Sequence, residues 1–457
     1  MTLTEQLLAR ASGKKTVSPG DNVWVNVDVL LTHDICGPGT IGVFQREFGK
    51  SARVWDPRKV VIIPDHYIFT SDSQSNRNVD LLREFARAQQ LPYFYDVIDD
   101  PTGHWQFDSS RGPLARQYGD RYGGVCHAAV PERGHVRPGE VFLGTDSHTC
   151  TAGAFNLFAT GVGNTDAGFV LGTGKLLLKV PPTLRFRLED ELPKGVMAKD
   201  VILEIIGRIG FDGATYCAME FDGAGIASLS LEDRMTIANM AIEAGGKNGV
   251  FPADEKTLSF VQESCRRNGT HAQFEPVESD PDAPVLAEQT IDLSALEPTV
   301  AQPPNPGNRE LAQRLSSVRI DRAYLGSCTG GKLSDFLAFA QVLNGKQVAV
   351  ETFAVPATPL VASELHRRQI DGKSVWEILS SAGVRLTENA SCAACLGGPM
   401  DTFGRLDRPM TCISATNRNF PGRMGHKESK VYLASPYTVA ASALTGRITD
   451  PREFLPS

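Results

Sequence analysis

Short β-branched runs alternate with helical stretches along most of this chain, and that alternation narrows its fold more than any other feature. VWVNVDVLL (23–31), KVVIIPD (59–65) and EVFLGTD (140–146) read as strands, and NVDLLREFARAQQ (78–90) has helical periodicity. Alternation of this kind predicts an α/β fold with largely parallel sheets, whose ligands gather beyond the carboxyl ends of strands. Three polar clusters occupy such ends: His33–Asp34, Pro64–Asp65–His66 and Thr145–Asp146–Ser147–His148. A second α/β unit is expected from about 186, with helices at AKDVILEIIGRIG (198–210) and LEDRMTIANMAIEAGG (231–246). The Pro- and acid-rich stretch 272–308 reads as a wrapped linker. Alternation resumes after 316, with VRIDRAYLG, SDFLAFAQVL and QVAVETFAV. The expected division is 1–185, 186–310 and 311–457.

A chain of 457 residues is too long for one ordinary core, so two to four domains are expected. Its net charge of −7 argues against nucleic-acid or anionic-membrane partners, so an anionic substrate would need local arginines. No run of 18 apolar residues suits a membrane span. The N-terminal MTLTEQLLARASGKKT lacks an apolar leader region and reads as a first helix. The expected compartment is the cytoplasm, or the plastid stroma if a transit peptide has been removed. Nine irregularly spaced cysteines suit a reducing compartment, as thiols and metal ligands.

Three of those cysteines stand out. Cys328 lies in YLGSCTGGK, and Cys392 and Cys395 lie in SCAACLGGP, a C-x63-C-x2-C spacing in runs of small residues. Small neighbours let backbone approach a bulky inorganic group. A buried free cysteine is ordinarily a small hydrophobe, but a C-x2-C paired with a distant Cys in Gly/Ser context argues for metal. Zinc would want a fourth ligand, and no His lies beside either segment. Three thiolates are also one short of closing a cubane 4Fe–4S cluster. A cube so held leaves one iron open to substrate, which marks a catalytic site.

Other residues fit that reading. His66 follows Asp65, His127 sits in GVCHAAVP, and His148 closes TDSH after Asp146. Carboxylates near imidazoles orient the rings and shift their proton affinity, and dehydration needs proton donors. In TNRNFPGRMG, Asn417 precedes Arg418 and Arg423, whose planar forks suit a di-acid substrate. Asn239 and Glu243, four apart in a mostly apolar helix, are expected on one pocket-facing side. GFVLGTGKLL (168–177) and GVGNTD (161–166) have the wrong spacing for nucleotide loops and read as structural glycines.

Together these segments, with VDVLLTHDICGP, LGTDSHTCTAGAF, FATGVGNTDAG and YLASPYTVAASALTGRI, resemble the aconitase superfamily over nearly the whole chain. Within it, the closest likeness is to the plastid-type branch of isopropylmalate dehydratase large subunits. Gly330 and Lys332 stand where many relatives have Asn and Arg, and SCAAC departs from the commoner Cys-Gly-x-Cys. The resemblance implies three α/β (αβα) domains around one 4Fe–4S cluster per subunit, ligated by Cys328, Cys392 and Cys395, without the C-terminal swivel domain of single-chain relatives. It implies that Asp65, His66, His127, Asp146, His148 and Glu243 act in catalysis, and that His33, Ser147, Asn239, Asn417, Arg418 and Arg423 line the substrate site. It further implies a small-subunit partner bringing the swivel domain and a catalytic serine. The implied reaction isomerises 2-isopropylmalate to 3-isopropylmalate by dehydration and rehydration, in leucine biosynthesis. Homoaconitate, methylmalate and methylthioalkylmalate are rival substrates, and iron-responsive RNA binding is a rival from another class.

Overall fold

The computed structural model describes residues 1–99, 110 and 116–455. Three mostly parallel sheets form its framework. The first has five parallel strands in the spatial order Tyr93–Phe94, Val60–Ile62, Val29–Thr32, Val141–Gly144, Phe158–Gly161. Both faces are covered, so the inner strands read as unbroken apolar runs: Val29–Leu31, Val60–Ile62 and Val141–Leu143 are all buried. VWVNVDVLL, read as a single strand, divides in two. Asn22–Asn26 pairs antiparallel with Lys175–Lys179 in a separate ribbon, and only Val29–Thr32 enters the sheet. Alternating burial along Asn22–Asn26 shows why: a ribbon with one wet face needs a period of two, and the central strand does not.

The second sheet is a parallel set ordered Asn248–Val250, Ala218–Asp222, Thr183–Glu189, Ala287–Asp292. The third has seven strands, ordered Arg309–Leu311, Thr299–Ala301, Lys430–Ala434, Thr411–Ser414, Arg322–Leu325, Glu351–Ala354, Arg385–Leu386. Its first two strands are antiparallel additions, and the rest run parallel. The Pro-rich stretch is therefore more than a linker. Ala287–Asp292 completes the second sheet and Thr299–Ala301 joins the third, stitching the two together.

Helix Ala198–Ile209 packs against helix Leu231–Asn239 and strand Thr299–Ala301. Residues 198–206 are all buried, the apolar ones on its packed faces together with the charged Lys199, Asp200 and Glu204. Val201, Ile202, Leu203, Ile205 and Ile206 each contribute roughly 1.5–3 kcal/mol by leaving water. LEDRMTIANMAIEAGG also departs from its expected form. The α-helix ends at Asn239, and Met240–Ala244 continues as a tighter 3-10 turn. Among the described residues no helix is long and apolar enough to cross a membrane.

Candidate active site

Each of two sheets reverses its direction of growth at one point, and the candidate residues gather at both points. In the first sheet the chain builds outward from Val29–Thr32 to Tyr93–Phe94, then returns to lay Val141–Gly144 on the other side. The crevice at such a switch lies beyond the carboxyl ends of the two central strands. His33 and Asp34 leave one of them and Asp146 leaves the other, with Thr32 and Thr145 hydroxyls 2.9 Å apart between them. The third sheet repeats the logic. Its switch lies between Arg322–Leu325, followed by Cys328, and Thr411–Ser414, followed by Asn417 and Arg418.

Asp146 is the hub of the first crevice. Its Oδ1 lies 3.0 Å from His127 Nε2 and 3.2 Å from His148 Nδ1, and it accepts the His148 backbone N–H at 2.7 Å. Its Oδ2 faces His66 Nε2 at 3.7 Å and His33 Nε2 at 3.9 Å. Beyond it, His148 Nε2 sits 2.9 Å from Glu243 Oε1, which also accepts from Arg418 Nε at 2.7 Å. Arg418 reaches back to Ser147 Oγ at 3.0 Å, closing the ring. Burial opposes ionisation of Asp146, but hydrogen bonds and charges of His127 and His148 outweigh it and hold the carboxyl well below the usual range. Glu243 is lowered in the same way, burial being overcome by His148 and Arg418.

The Asp65–His66 pair is a direct contact, with Nδ1 and Oδ1 2.6 Å apart. Burial would strip His66 of its proton, yet the Asp65 charge and hydrogen bond raise it to about 10. Its ring neighbour His33, with centroids 4.4 Å away, is lowered by burial and by the His66 charge. Adjacent imidazoles are thus set to opposite states. Asp34 fixes the loop itself: its carboxylate accepts the backbone N–H groups of Asp65, His66 and Tyr67 at 2.9, 3.0 and 2.7 Å.

Cys328, Cys392 and Cys395 are buried in one pocket walled by Val125, Ala128 and Ala357, and all are free thiols. Asn239 Nδ2 points at Cys328 Sγ from 3.1 Å and Asn417 Nδ2 from 3.3 Å, while Asn417 Oδ1 lies 3.4 Å from Cys395 Sγ. Amide N–H groups aimed at a buried sulfur suit a thiolate that also binds metal. Ser327, just before Cys328, has φ of +74°, a left-handed conformation that a non-glycine residue adopts at a cost. A Cβ built at Gly330 would lie against that of Ala415, closer than contact allows, so any larger residue there would make the loop shift. Three convergent buried thiols, donors on sulfur and a closely packed small-residue loop fit an iron–sulfur group. The pocket joins the first crevice directly, for Cys392 N–H donates to the Asp65 carbonyl at 2.9 Å and Cys126 N–H to the Asp65 carboxylate at 2.7 Å.

Every candidate but two, His33 and Arg423, is hydrogen-bonded into this assembly; His33 Nε2 has no hydrogen-bond partner among the described residues and faces Asp146 only at 3.9 Å. Cys395 is held low first by its contact with Cys392 and then by the Arg423 charge, and among the described residues the buried Nε of Arg423 has no hydrogen-bond partner. The 3-10 turn after Asn239 sends that side chain to the thiols and Glu243 to the histidines, so the two do not serve one α-helical face as expected. Sequence reasoning passed over Thr151, whose hydroxyl takes the other N–H of Asn239 at 2.7 Å, and Lys199, buried beside Cys328. Lys199 did leave a signal, as the lone cation in the apolar stretch of its helix.

A family model described as "Aconitase family (aconitate hydratase)" matches residues 6–446. The "3-isopropylmalate dehydratase large subunit, chloroplastic" of Arabidopsis thaliana is 57% identical over 460 residues, covering 100% of this chain and 87% of that protein. The "3-isopropylmalate dehydratase large subunit 1" of Methanopyrus kandleri is 45% identical over 456 residues, covering 99% of each. A "Probable 3-isopropylmalate dehydratase large subunit" of Methanothermobacter thermautotrophicus is 44% identical over 453 residues, again covering 99% of each.

Proposed function

Because this chain belongs to the aconitase family, we propose that it is the large subunit of a two-chain hydro-lyase converting 2-isopropylmalate to 3-isopropylmalate, in leucine biosynthesis. Full-length relatives that carry this name support the reading. The observation that carries it is the junction of two half-sites: a ring of buried carboxylates and imidazoles around Asp146 abuts three convergent thiols through Asp65 and Cys392.

Cys328, Cys392 and Cys395 would hold one 4Fe–4S cluster, which when bound supplies a Lewis-acid iron that makes hydroxide a better leaving group. Arg418 and Arg423 orient the substrate carboxylates, Arg423 being the freer of the two because its Nε is unpaired. His66 carries a proton on both ring nitrogens at neutral pH. Asp65 engages Nδ1, so the Nε2 proton facing Asp146 is the one we assign to the departing hydroxyl. His127, Asp146, His148 and Glu243 keep that charge pattern fixed, with Ser147 and Asn239 lining the pocket. A serine on the swivel domain of a separate small subunit takes the C–H proton, a division that the words "large subunit" in the relatives' names support. We place the enzyme in the cytoplasm, with the plastid stroma the alternative raised by the relative named chloroplastic.

The test is an anaerobic assay of 2-isopropylmalate, homoaconitate and citrate, with and without the small subunit. Turnover should require both chains and favour 2-isopropylmalate. Preference for homoaconitate would overturn the substrate, and full turnover by this chain alone would overturn the divided site.

A further inference from the structure

Beside the thiol pocket, Lys199 is only 1% exposed. Its Nζ donates to Thr416 O at 2.8 Å and Thr329 Oγ1 at 3.0 Å, and lies 3.4 Å from Met240 Sδ. These partners follow a pattern. Thr329 follows Cys328, Thr416 precedes Asn417, and Met240 follows Asn239. The ammonium thus grips the immediate neighbour of one thiol and of both amides whose N–H groups point at that sulfur.

All three partners are neutral. Among the described residues no Asp or Glu makes an ion pair with Lys199, whereas Lys332, equally buried, lies 2.8 Å from Asp335 Oδ2. An ammonium buried without a counter-anion is costly, so some anion close by must balance it. Burial and the Lys332 charge pull Lys199 down to about 8, which leaves it charged at neutral pH. Of the negative groups that act on Lys199, the Cys328 sulfur comes first, ahead of the Asp335 and Glu243 carboxylates, neither of which pairs with it directly.

We propose that Lys199 is a positioning residue for the Cys328 sulfur, locking that thiol to its two amide donors and supplying the positive charge that an anionic cluster there requires. This rests on the cluster reading above. Loss of the charge makes the cluster harder to reduce, and loss of the grip loosens the ligand loop.

The test compares the reconstituted holoprotein with Lys199→Met, Lys199→Arg and Thr329→Val, reading iron and sulfide content, cluster midpoint potential and the rate of iron loss in air. Lys199→Met should shift the midpoint to more negative values and speed iron loss at least tenfold. Lys199→Arg, which keeps the charge, should stay near the wild-type potential. Thr329→Val should speed iron loss severalfold while leaving the potential in place. A folded Lys199→Met protein with wild-type potential and iron loss would overturn the proposal. Should that variant fail to fold, Thr329→Val decides, and wild-type iron retention in it overturns the proposal as well. Wild-type protein that takes up no iron or sulfide would instead sink the cluster reading itself.

Discussion

The same residue types meet in two buried regions around the first sheet and do opposite things. At the carboxyl end of the sheet, His66 pairs with Asp65 and precedes Tyr67, and the Asp65 carbonyl accepts the backbone N–H of Cys392. At the sheet's edge, His135 meets Tyr95 through its Nε2 at 2.6 Å, its ring stands 4.5 Å from that of Tyr93, and the thiol Cys265 packs against Gly134. Both histidines are buried. His66 is driven up to about 10, while burial and the Arg137 and Arg133 charges drive His135 down to about 3. Burial therefore does not make a reactive histidine. A carboxylate in contact makes one, and its absence beside guanidinium groups makes a neutral core ring.

The largest effect that could break this contrast lies in the thiols. Cys392→Ser should abolish iron uptake and the broad absorbance near 400 nm expected of such clusters, while Cys265→Ser, equally buried, should retain both. Iron and sulfide analysis of anaerobic protein decides it, and equal loading of the two variants would erase the distinction. Next comes the hub. Asp146→Asn should lower kcat by about 10²–10⁴-fold, the range of general acid–base groups, whereas His135→Gln should leave turnover nearly unchanged. A mild Asp146→Asn phenotype would mean the ring only shapes the pocket.

Much of the first region was readable as sequence, and little of the second. Strand ends followed by Asp–His pairs announce themselves, because strand patterning and its polar punctuation are local. So is Cys-x-x-Cys. His135 and Cys265 carry no such mark, and nothing in RGHV or ESCR distinguishes a core residue from a reactive one. What stayed hidden even in the site was every tie between distant segments. Asp34 clamps three N–H groups some thirty residues on, Lys199 reaches loops beyond residue 320, and the helix breaks at Asn239 to split two side chains between two half-sites. These depend on which strands lie side by side, and periodicity does not carry that. The Pro-rich stretch misled for the same reason: composition marks a poor helix, but it does not exclude short strands that complete two sheets.

The titration of the two histidines should have opposite signs. His66 has a folded value above its ordinary 6.5, so its contribution is complete below pH 6.5 and fades as pH rises toward about 10. His135 has a folded value below 6.5, so the unfolded chain takes the proton first and stability falls as pH drops from 6.5 toward about 3. Each slope approaches about 1.4 kcal/mol per pH unit within its window. Urea midpoints of the cluster-free protein across pH should flatten on the alkaline side in His66→Gln and on the acid side in His135→Gln. Slopes of one sign for both would refute the assignment.

The smallest expected effect isolates the second region. Tyr95→Phe deletes the hydroxyl that meets His135 Nε2 and leaves a buried ring nitrogen without its partner. The cost should be about 1–3 kcal/mol, the penalty of an unsatisfied buried polar group. Because this contact belongs to packing and not to proton traffic, the loss should appear in the urea midpoint with cluster content and kcat near wild type. If Tyr95→Phe instead moved the pH profile of turnover, the edge histidine would be coupled to the active crevice, and the two regions would have to be treated as one.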